Sequence, residues 1–466
     1  MKWQLCAPWL FGLSCAALAG CGVGTPYRRP DIALPQQWHE AAPDSTSSSV
    51  WPAADWWHGF GSSRLDELIA EAERSNDDLA GAIARIQEAD AQLRIAGAPL
   101  LPSLDFTGTA TRERANTTGA GLTLSNGFNP ELSASYELDF WGKNRALRDA
   151  ARAAAVASRY DKETVALTVV SSVASTYFQA LEMRDRIQVA QNNLDNGEKI
   201  LRGFRSEQSA GTATGLDVAQ QETAVALLNA AIPPLLEQFR QAVYALAVLI
   251  GKTPESVDVD NGSLADLTRP ALRAGLPSML LSRRPDVAEA EQQLVAANAD
   301  ITVARAALFP SIELTANGGY ASGKLASLVI PANRVYAVSA GLTQPIFHGG
   351  ALRGQLAYSK ARYTELLTTY HKSVLTAFGN VESALVALRQ TDDQQQRQRE
   401  AVAKAQRAFE FAQAQMSAGT VNILTVLNTE NSLFSAQDAL VQVEYSHLQA
   451  LVDLFTALGG GWQEDR

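Results

Sequence analysis

The sequence predicts a mainly α-helical chain, built twice, that carries strands of the membrane-barrel kind. Three observations lead there. Ser209, Ala210, Gly211 and Thr212, followed by Leu216 and Val218, return as Ser417, Ala418, Gly419 and Thr420, followed by Leu424 and Val426, each pair 208 positions apart. A helical pattern of unusual length runs into each copy of that phrase. Ahead of each long pattern, paired segments alternate apolar residues with acidic or hydroxyl residues, which is the period of a strand with one lipid face and one wet face.

Length and charge narrow the class. At 466 residues the chain exceeds one ordinary core, so several domains or one elongated repeat is expected. A formal charge of −10 and a pI near 5.2 argue against a nucleic-acid partner, because phosphate binding needs a basic face. Ala and Gln are plentiful and aromatics sparse, a composition suited to long helices packed through small side chains.

In chain order, residues 1–20 have the pattern of a signal peptide. Lys2 opens an apolar run from Leu5 to Gly20, shorter than the roughly 20 residues that span a bilayer as a helix. Leu18, Ala19, Gly20 and Cys21 resemble the lipobox of bacterial lipoproteins. That resemblance implies cleavage before Cys21, diacylglycerol on its thiol and an acyl chain on its new amine, with no other cofactor; Gly22 rather than Asp implies sorting to the outer membrane. Cys6 and Cys15 leave with the signal, so the mature chain has no second cysteine for an intrachain disulfide. Residues 21–60 form a leader, rich in Pro and Ser, with no core of its own until Asp55, Trp56, Trp57 and Phe60 start the packed protein.

Repeat one is expected over 61–254. A helix from Ser63 to Ala98 stops at Pro99 and Pro102. The hairpin 103–140 places Leu104, Phe106 and Ala110, then Leu132, Ala134, Tyr136, Leu138 and Phe140, against Asp105, Thr107, Thr109, Glu131, Ser133, Ser135, Glu137 and Asp139, with a Gly, Asn and Thr-rich loop between. A helix over 143–207 follows, about 95 Å long at 1.5 Å per residue. Its seam of Val156, Tyr160, Leu167, Val170, Ala174, Tyr177 and Leu181 has coiled-coil spacing. The Gly of the first repeated phrase supplies the C-cap. A returning helix, 215–250, is expected to break at Pro233 and Pro234, because two amides are lost. Residues 255–282, with Pro270, Gly275 and Pro277, are the expected linker.

Repeat two, 283–462, lays onto repeat one at offsets of 207 or 208. Pro102 and Ser103 match Pro310 and Ser311, and the hairpin 311–346 alternates Ile312, Leu314 and Ala316 against Glu313 and Thr315, with a weaker fourth segment from Tyr336 to Leu342. A long helix over 350–416 and a returning helix over 422–458 complete it. Four strands cannot close a membrane barrel, since the smallest single-chain barrels have about eight and an open edge in lipid leaves amides unpaired. Either the chain oligomerises or the strands lie outside a membrane.

Together with the lipobox and the repeated turns, several phrases resemble the TolC-like outer-membrane factors, in particular the lipoprotein branch serving resistance-nodulation-division pumps. They are Asp55, Trp56, Trp57 with Phe60; Arg283, Arg284, Pro285, Asp286 with Ala288 and Glu289; Ala296, Ala297, Asn298; and Ala304 through Pro310. The resemblance implies a homotrimer, a 12-stranded β-barrel in outer-membrane lipid with four strands per protomer, and a periplasmic α-barrel of helical hairpins. It also implies a periplasmic adaptor and an inner-membrane transporter as partners, and passive conduction of drugs or other small molecules. It places adaptor docking at the tips: Gly211, Thr212, Leu216, Asp217 and Val218, with Gly419, Thr420, Leu424, Thr425 and Val426. The family's periplasmic constriction often uses acids near the second turn, where this chain has Val421, Asn422 and Asn428.

The polar strand face offers Asp105, Glu131, Glu137, Asp139 and Glu313 as pore-lining acids; triplicated, they would favour cations. The same charges could instead solubilise the barrel rims. The five histidines have no carboxylate or Cys at ligand spacing, and no metal or catalytic set is expected. The alternatives are an exit duct for type I protein secretion and a periplasmic adaptor lipoprotein. An adaptor has one hairpin between β-rich segments, whereas two hairpins and two strand pairs stand in tandem here.

Overall fold

The computed structural model describes residues 23–33, 35, 37–40, 51–117, 121–259, 261–271 and 277–463. The signal peptide and Cys21 lie outside the described residues. In order the elements are α1 (Ser63–Ser75), α2 (Asp77–Gly97), β1 (Ser103–Thr117), β2 (Gly121–Glu137), α3 (Lys143–Ser209), α4 (Gly215–Leu249), α5 (Pro285–Ala306), β3 (Ser311–Tyr320), β4 (Arg334–Thr343), α6 (Ala351–Ser417) and α7 (Ile423–Ala457). The duplication holds from α2 onward, α2 to α4 with their strands matching α5 to α7 with theirs, while α1 has no counterpart α-helix among the described residues; the mainly helical, strand-bearing class is the one expected. The chain divides into two compact units. The first comprises the described residues of Met1–Asp31, Arg85–Arg159 and Glu289–His371; the second those of Ile32–Ala84, Tyr160–Ala288 and Lys372–Arg466.

The first unit holds one antiparallel sheet in the order β1-β2-β3-β4. Its register sorts the side chains by chemistry. Leu104 faces Ala134, which faces Ala316, which faces Val338; Phe106 faces Leu132, and Tyr136 faces Leu314. One residue along, Ser103, Ser135, Thr315 and Ser339 form a polar row, and Asp105, Ser133 and Asn317 another. Ser103 and Ser135 hydrogen bond at 2.9 Å, and Ser133 donates to Asn317 at 3.0 Å. The apolar side is bare on the single chain, with Phe106 72% and Val338 80% exposed. The expected loop between Ala110 and Glu131 is a correction: β1 runs on to Thr117 and β2 begins at Gly121. Alternation fades there because the outward positions become Arg112, Arg114 and Asn116, while the ladder itself continues.

The leader is fastened down at its described residues. Glu291 on α5 takes both Arg29, through Nε at 2.7 Å, and the Tyr27 hydroxyl at 3.3 Å. Asn298 donates to the Thr25 carbonyl and Arg305 to that of Val23. Positions 291, 298 and 305 are seven apart, so one helical stripe holds the strap. In the second unit Trp38 packs on Phe378, and the Glu382 carboxylate accepts the amides of His39 and Glu40.

The main core lies in the second unit. Trp56 stacks on Phe455 at 4.8 Å between centroids, beside Phe60, Phe178, Leu181 and Leu246. The Trp pair is therefore packing. Within the expected linker 255–282, the described residues up to Leu267 wall this core: Val257, Val259 and Leu264 are buried in it, and Asp185 accepts from Ser263 Oγ and the Leu264 amide. By length and composition α3 could cross a membrane, yet its apolar residues from Val169 to Leu181 are core.

Two helix expectations need correction. The helix predicted over 63–98 breaks at Asn76, and the break is a clamp: Asn76 Oδ1 caps α2 by accepting the Leu79 amide at 3.0 Å, while its Nδ2 donates to the Leu249 carbonyl at the end of α4, 2.8 Å away. Repeat two has the same clamp 208 residues on, in other chemistry. Arg284 bonds Asp286 in the first turn of α5 and donates to the Ala457 carbonyl at 3.1 Å. Conversely, α4 runs unbroken through Pro233 and Pro234. The carbonyls deprived of donors belong to Asn229 and Ala230, which face solvent on this chain, while buried Leu228, Leu235 and Phe239 hold the path from either side.

Gly251 and Gly459 end the two returning helices at φ +68° and +89°, against the Ser75 and Arg283 carbonyls respectively, where a Cβ would overlap the carbonyl. Gly251→Ala is expected to cost more than the roughly 1–3 kcal/mol of left-handed strain alone, and Asn76→Ala about 1–2 kcal/mol as a lost cap. Thermal unfolding of the purified chain checks both; unchanged midpoints would contradict the clamp.

Candidate functional site: the hairpin tips and the polar sheet face

Each tip is a helix end rebuilt by the same hydrogen bonds. At the first, the Thr212 amide donates to the Glu207 carbonyl at 2.9 Å and the Gly211 amide to that of Gln208 at 3.0 Å, with Gly211 at φ +78°. At the second, Thr420 donates to Gln415 at 2.9 Å and Gly419 to Met416 at 2.8 Å, with Gly419 at φ +73°. This is the paired closure of a Schellman motif, and only glycine adopts its left-handed residue without strain. The hydroxyls of Thr212 and Thr420 repeat their own amides' bonds, at 3.0 and 2.9 Å. Nothing lies within 4 Å of a Cβ built on either glycine, so conformation rather than crowding demands them.

The return helices start differently. Thr214 and Asp217 form a full capping box, and the bonds from the Thr214 hydroxyl and amide hold the Asp217 carboxyl below its ordinary range. At the second tip Asn422 caps α7 by accepting the Thr425 amide at 3.3 Å, and Thr425 has no carboxylate to return the bond. Leu216 and Leu424 are exposed at the start of their helices. Val218 and Val426 are not, which corrects their assignment as docking surface: they sit in small cores with Leu201 and Phe204, and with Phe409 and Leu433. Their spacing from Gly is that of the first buried turn.

Of the constriction candidates, Val421 is half-buried and Asn422 and Asn428 are exposed, with Asn422 already used as a cap. An acid that the sequence reading passed over lies just beyond. Glu430, on the face of α7 shared by Val426 and Leu433, is only 4% exposed, and its Oε1 has no hydrogen-bond partner among the described residues. Its counterpart 208 residues earlier, Glu222, is exposed and pairs with Arg205 at 2.8 Å. The arginine is missing in repeat two, where Gln413 stands. Comparing the two copies for this lost partner could have found it.

On the sheet, Asp105, Glu131, Glu137 and Glu313 occupy the polar register, and Glu137 faces Glu313 across β2 and β3. Glu137 is held by Lys143, whose Nζ reaches its two oxygens at 2.7 and 3.0 Å. Glu137, Glu313 and Lys143, with Ser135, Ser311 and the turn at Pro99 and Pro102, line an open cavity of about 750 Å³. Asp139 is a correction. It lies beyond the strand and accepts the amides of Asn144 and Arg145, both at 2.9 Å, so it caps α3 rather than lining a strand face. Of the histidines, His58 Nδ1 lies 2.7 Å from Asp66 at the surface, and buried His447 contacts Thr391. Among the described residues no three His, Cys, Asp or Glu side chains could hold a metal.

The family profile described as outer membrane efflux protein matches residues 68–252 and again 276–460, one match per repeat. The chain is 42% identical over 462 residues to the pyoverdine export outer membrane protein OpmQ of Pseudomonas aeruginosa, covering 97% of this chain and 96% of that one. It is 33% identical over 459 residues to the toluene efflux pump outer membrane protein TtgC of Pseudomonas putida, covering 96% and 94%. Among solved structures, the outer-membrane channel OprN superposes with a TM-score of 0.88 at 27% identity, over 95% of this chain and all of that one.

Burial pushes the Glu430 carboxyl up to about 7. A carboxyl with its folded value above its unfolded one binds protons more tightly when folded. The fold therefore loses stability as pH rises from about 4.5 to about 7, and the loss persists above. Glu430→Gln should stabilise the chain by roughly 1–3 kcal/mol at pH 8 and hardly at pH 4.5. An equal effect at both values, read by denaturant unfolding, would contradict this.

Proposed function

Because the chain belongs to the outer membrane efflux protein family, we propose that it is the exit channel of a tripartite efflux pump, closed into a barrel as a homotrimer and reached from the periplasm through its hairpin tips. The observation that carries this reading is the sheet: four strands with a bare apolar face, a wet face bearing Asp105, Glu131 and Glu313, and an unpaired edge at β1 and at β4 among the described residues. Three copies would give 12 strands and bring every edge a partner. Lipid on Cys21 would add a second hold on the membrane.

Transport through such a pore is passive, and no catalytic set is called for. Energy comes from an inner-membrane transporter of the resistance-nodulation-division kind. A periplasmic adaptor joins the two by meeting Gly211, Thr212, Leu216 and Asp217, and Gly419, Thr420, Leu424 and Thr425, where exposed Leu and rigid small turns offer a helical hairpin both apolar contact and close approach. The wet face, triplicated, gives a lumen that favours cations. The cargo is small molecules chosen by the pump upstream; similarity to a pyoverdine export protein makes pyoverdine the first molecule to assay.

Gly211→Leu or Gly419→Leu distorts one tip while leaving the sheet intact. Export and resistance should fall at least tenfold, with heat-modifiable trimer still present at its normal level in the outer membrane. Normal resistance at equal expression would remove the tips from docking.

A further inference from the structure

The outward face of the sheet carries two arginines that conduction does not use. Arg112 and Arg114 share the register of Leu104, Phe106 and Ala110 and are therefore on the apolar side, next to Asn126 and Leu124 of β2. Both are exposed and make no hydrogen bond or ion pair among the described residues; Glu113 between them belongs to the opposite face. An arginine facing hydrocarbon is costly at mid-depth and nearly free at the boundary, so position decides what the pair meets.

Counting from Leu104, the first apolar residue beside the helical end of the strand, Arg112 lies about 27 Å and Arg114 about 34 Å along it at 3.4 Å per residue. A barrel tilt of 35–45° turns these into roughly 19–22 and 24–28 Å of height, against an apolar band of about 25 Å. The pair thus stands at the boundary of the band remote from the helices, which in an outer-membrane channel is the outer leaflet. Two arginines on alternate residues, their Cα atoms about 7 Å apart and Asn126 opposite Arg112 on β2, present two guanidiniums that match the phosphates of a lipid headgroup, each a bidentate acceptor.

We propose that Arg112 and Arg114 form a binding site for the phosphorylated glycolipid of the outer leaflet, fixing lipid against the barrel wall. The inference rests on the channel reading for its orientation. Full-length protein and the Arg112→Gln/Arg114→Gln variant, each purified as assembled channel in detergent, are titrated with bis-phosphorylated lipid A, with its dephosphorylated form and with phosphatidylglycerol, and bound lipid is counted by native mass spectrometry. Lipid A should bind the wild type at least tenfold more tightly than it binds the variant, and lose that advantage without its phosphates. Equal binding by the variant overturns the site, and preference for phosphatidylglycerol overturns the assignment to the outer leaflet. Conductance of the same preparations separates this from the channel reading: a variant that conducts normally but has lost lipid A supports the proposal, and a wild type that conducts but binds no better than the variant overturns it.

Discussion

An open sheet edge beside hydrocarbon is the constraint on which the rest depends. The outer edges of β1 and β4 present unpaired amides and carbonyls next to an apolar face that no part of the described chain covers. Each such group left unsatisfied in lipid costs several kcal/mol, and an edge has several. No rearrangement within four strands can remove two edges. The chain is therefore committed to copies of itself.

Duplication meets that demand cheaply, since each repeat brings one hairpin of strands and one of helices. The copies keep backbone geometry more strictly than chemistry. Asn76 and Arg284 stand 208 apart and hold corresponding carbonyls, Leu249 and Ala457, through unlike side chains. The tip turns close with matching bonds. Divergence is concentrated where the helices return: a capping box at Thr214 and Asp217 against a lone Asn422, and the paired Glu222 against the buried Glu430. Unequal tips on one protomer allow unequal roles in docking and opening.

Much of this was legible from periodicity. Strand alternation, the coiled-coil seam and the repeat offsets are local patterns with physical periods, and they placed the long helices and the second hairpin within a few residues; the far ends of β1 and β2, where alternation fades, and the break at Asn76 they did not show. What sequence could not show depended on what lies opposite. Pro233 and Pro234 do not break α4, because flanking buried residues outweigh two lost amides at a wet surface. Asp139 continues the alternation of β2 by spacing yet caps a helix, since the strand ends two residues earlier. Val218 and Val426 follow conspicuous turns but point inward. Asn298 and Arg305, conspicuous in the sequence without evident reason, hold the leader's backbone. The acids on the sheet were found by parity alone, and Lys143, which engages Glu137, comes from the next element.

Planar-bilayer recording of the purified full-length protein decides whether the strands are shared between copies. A trimeric preparation should give discrete, uniform conductance steps, with a reversal potential in a salt gradient that favours cations. Folded protein that inserts without steps, or conducts as a monomer, would contradict the channel built from shared strands; an anion-selective reversal potential would contradict the acidic lumen.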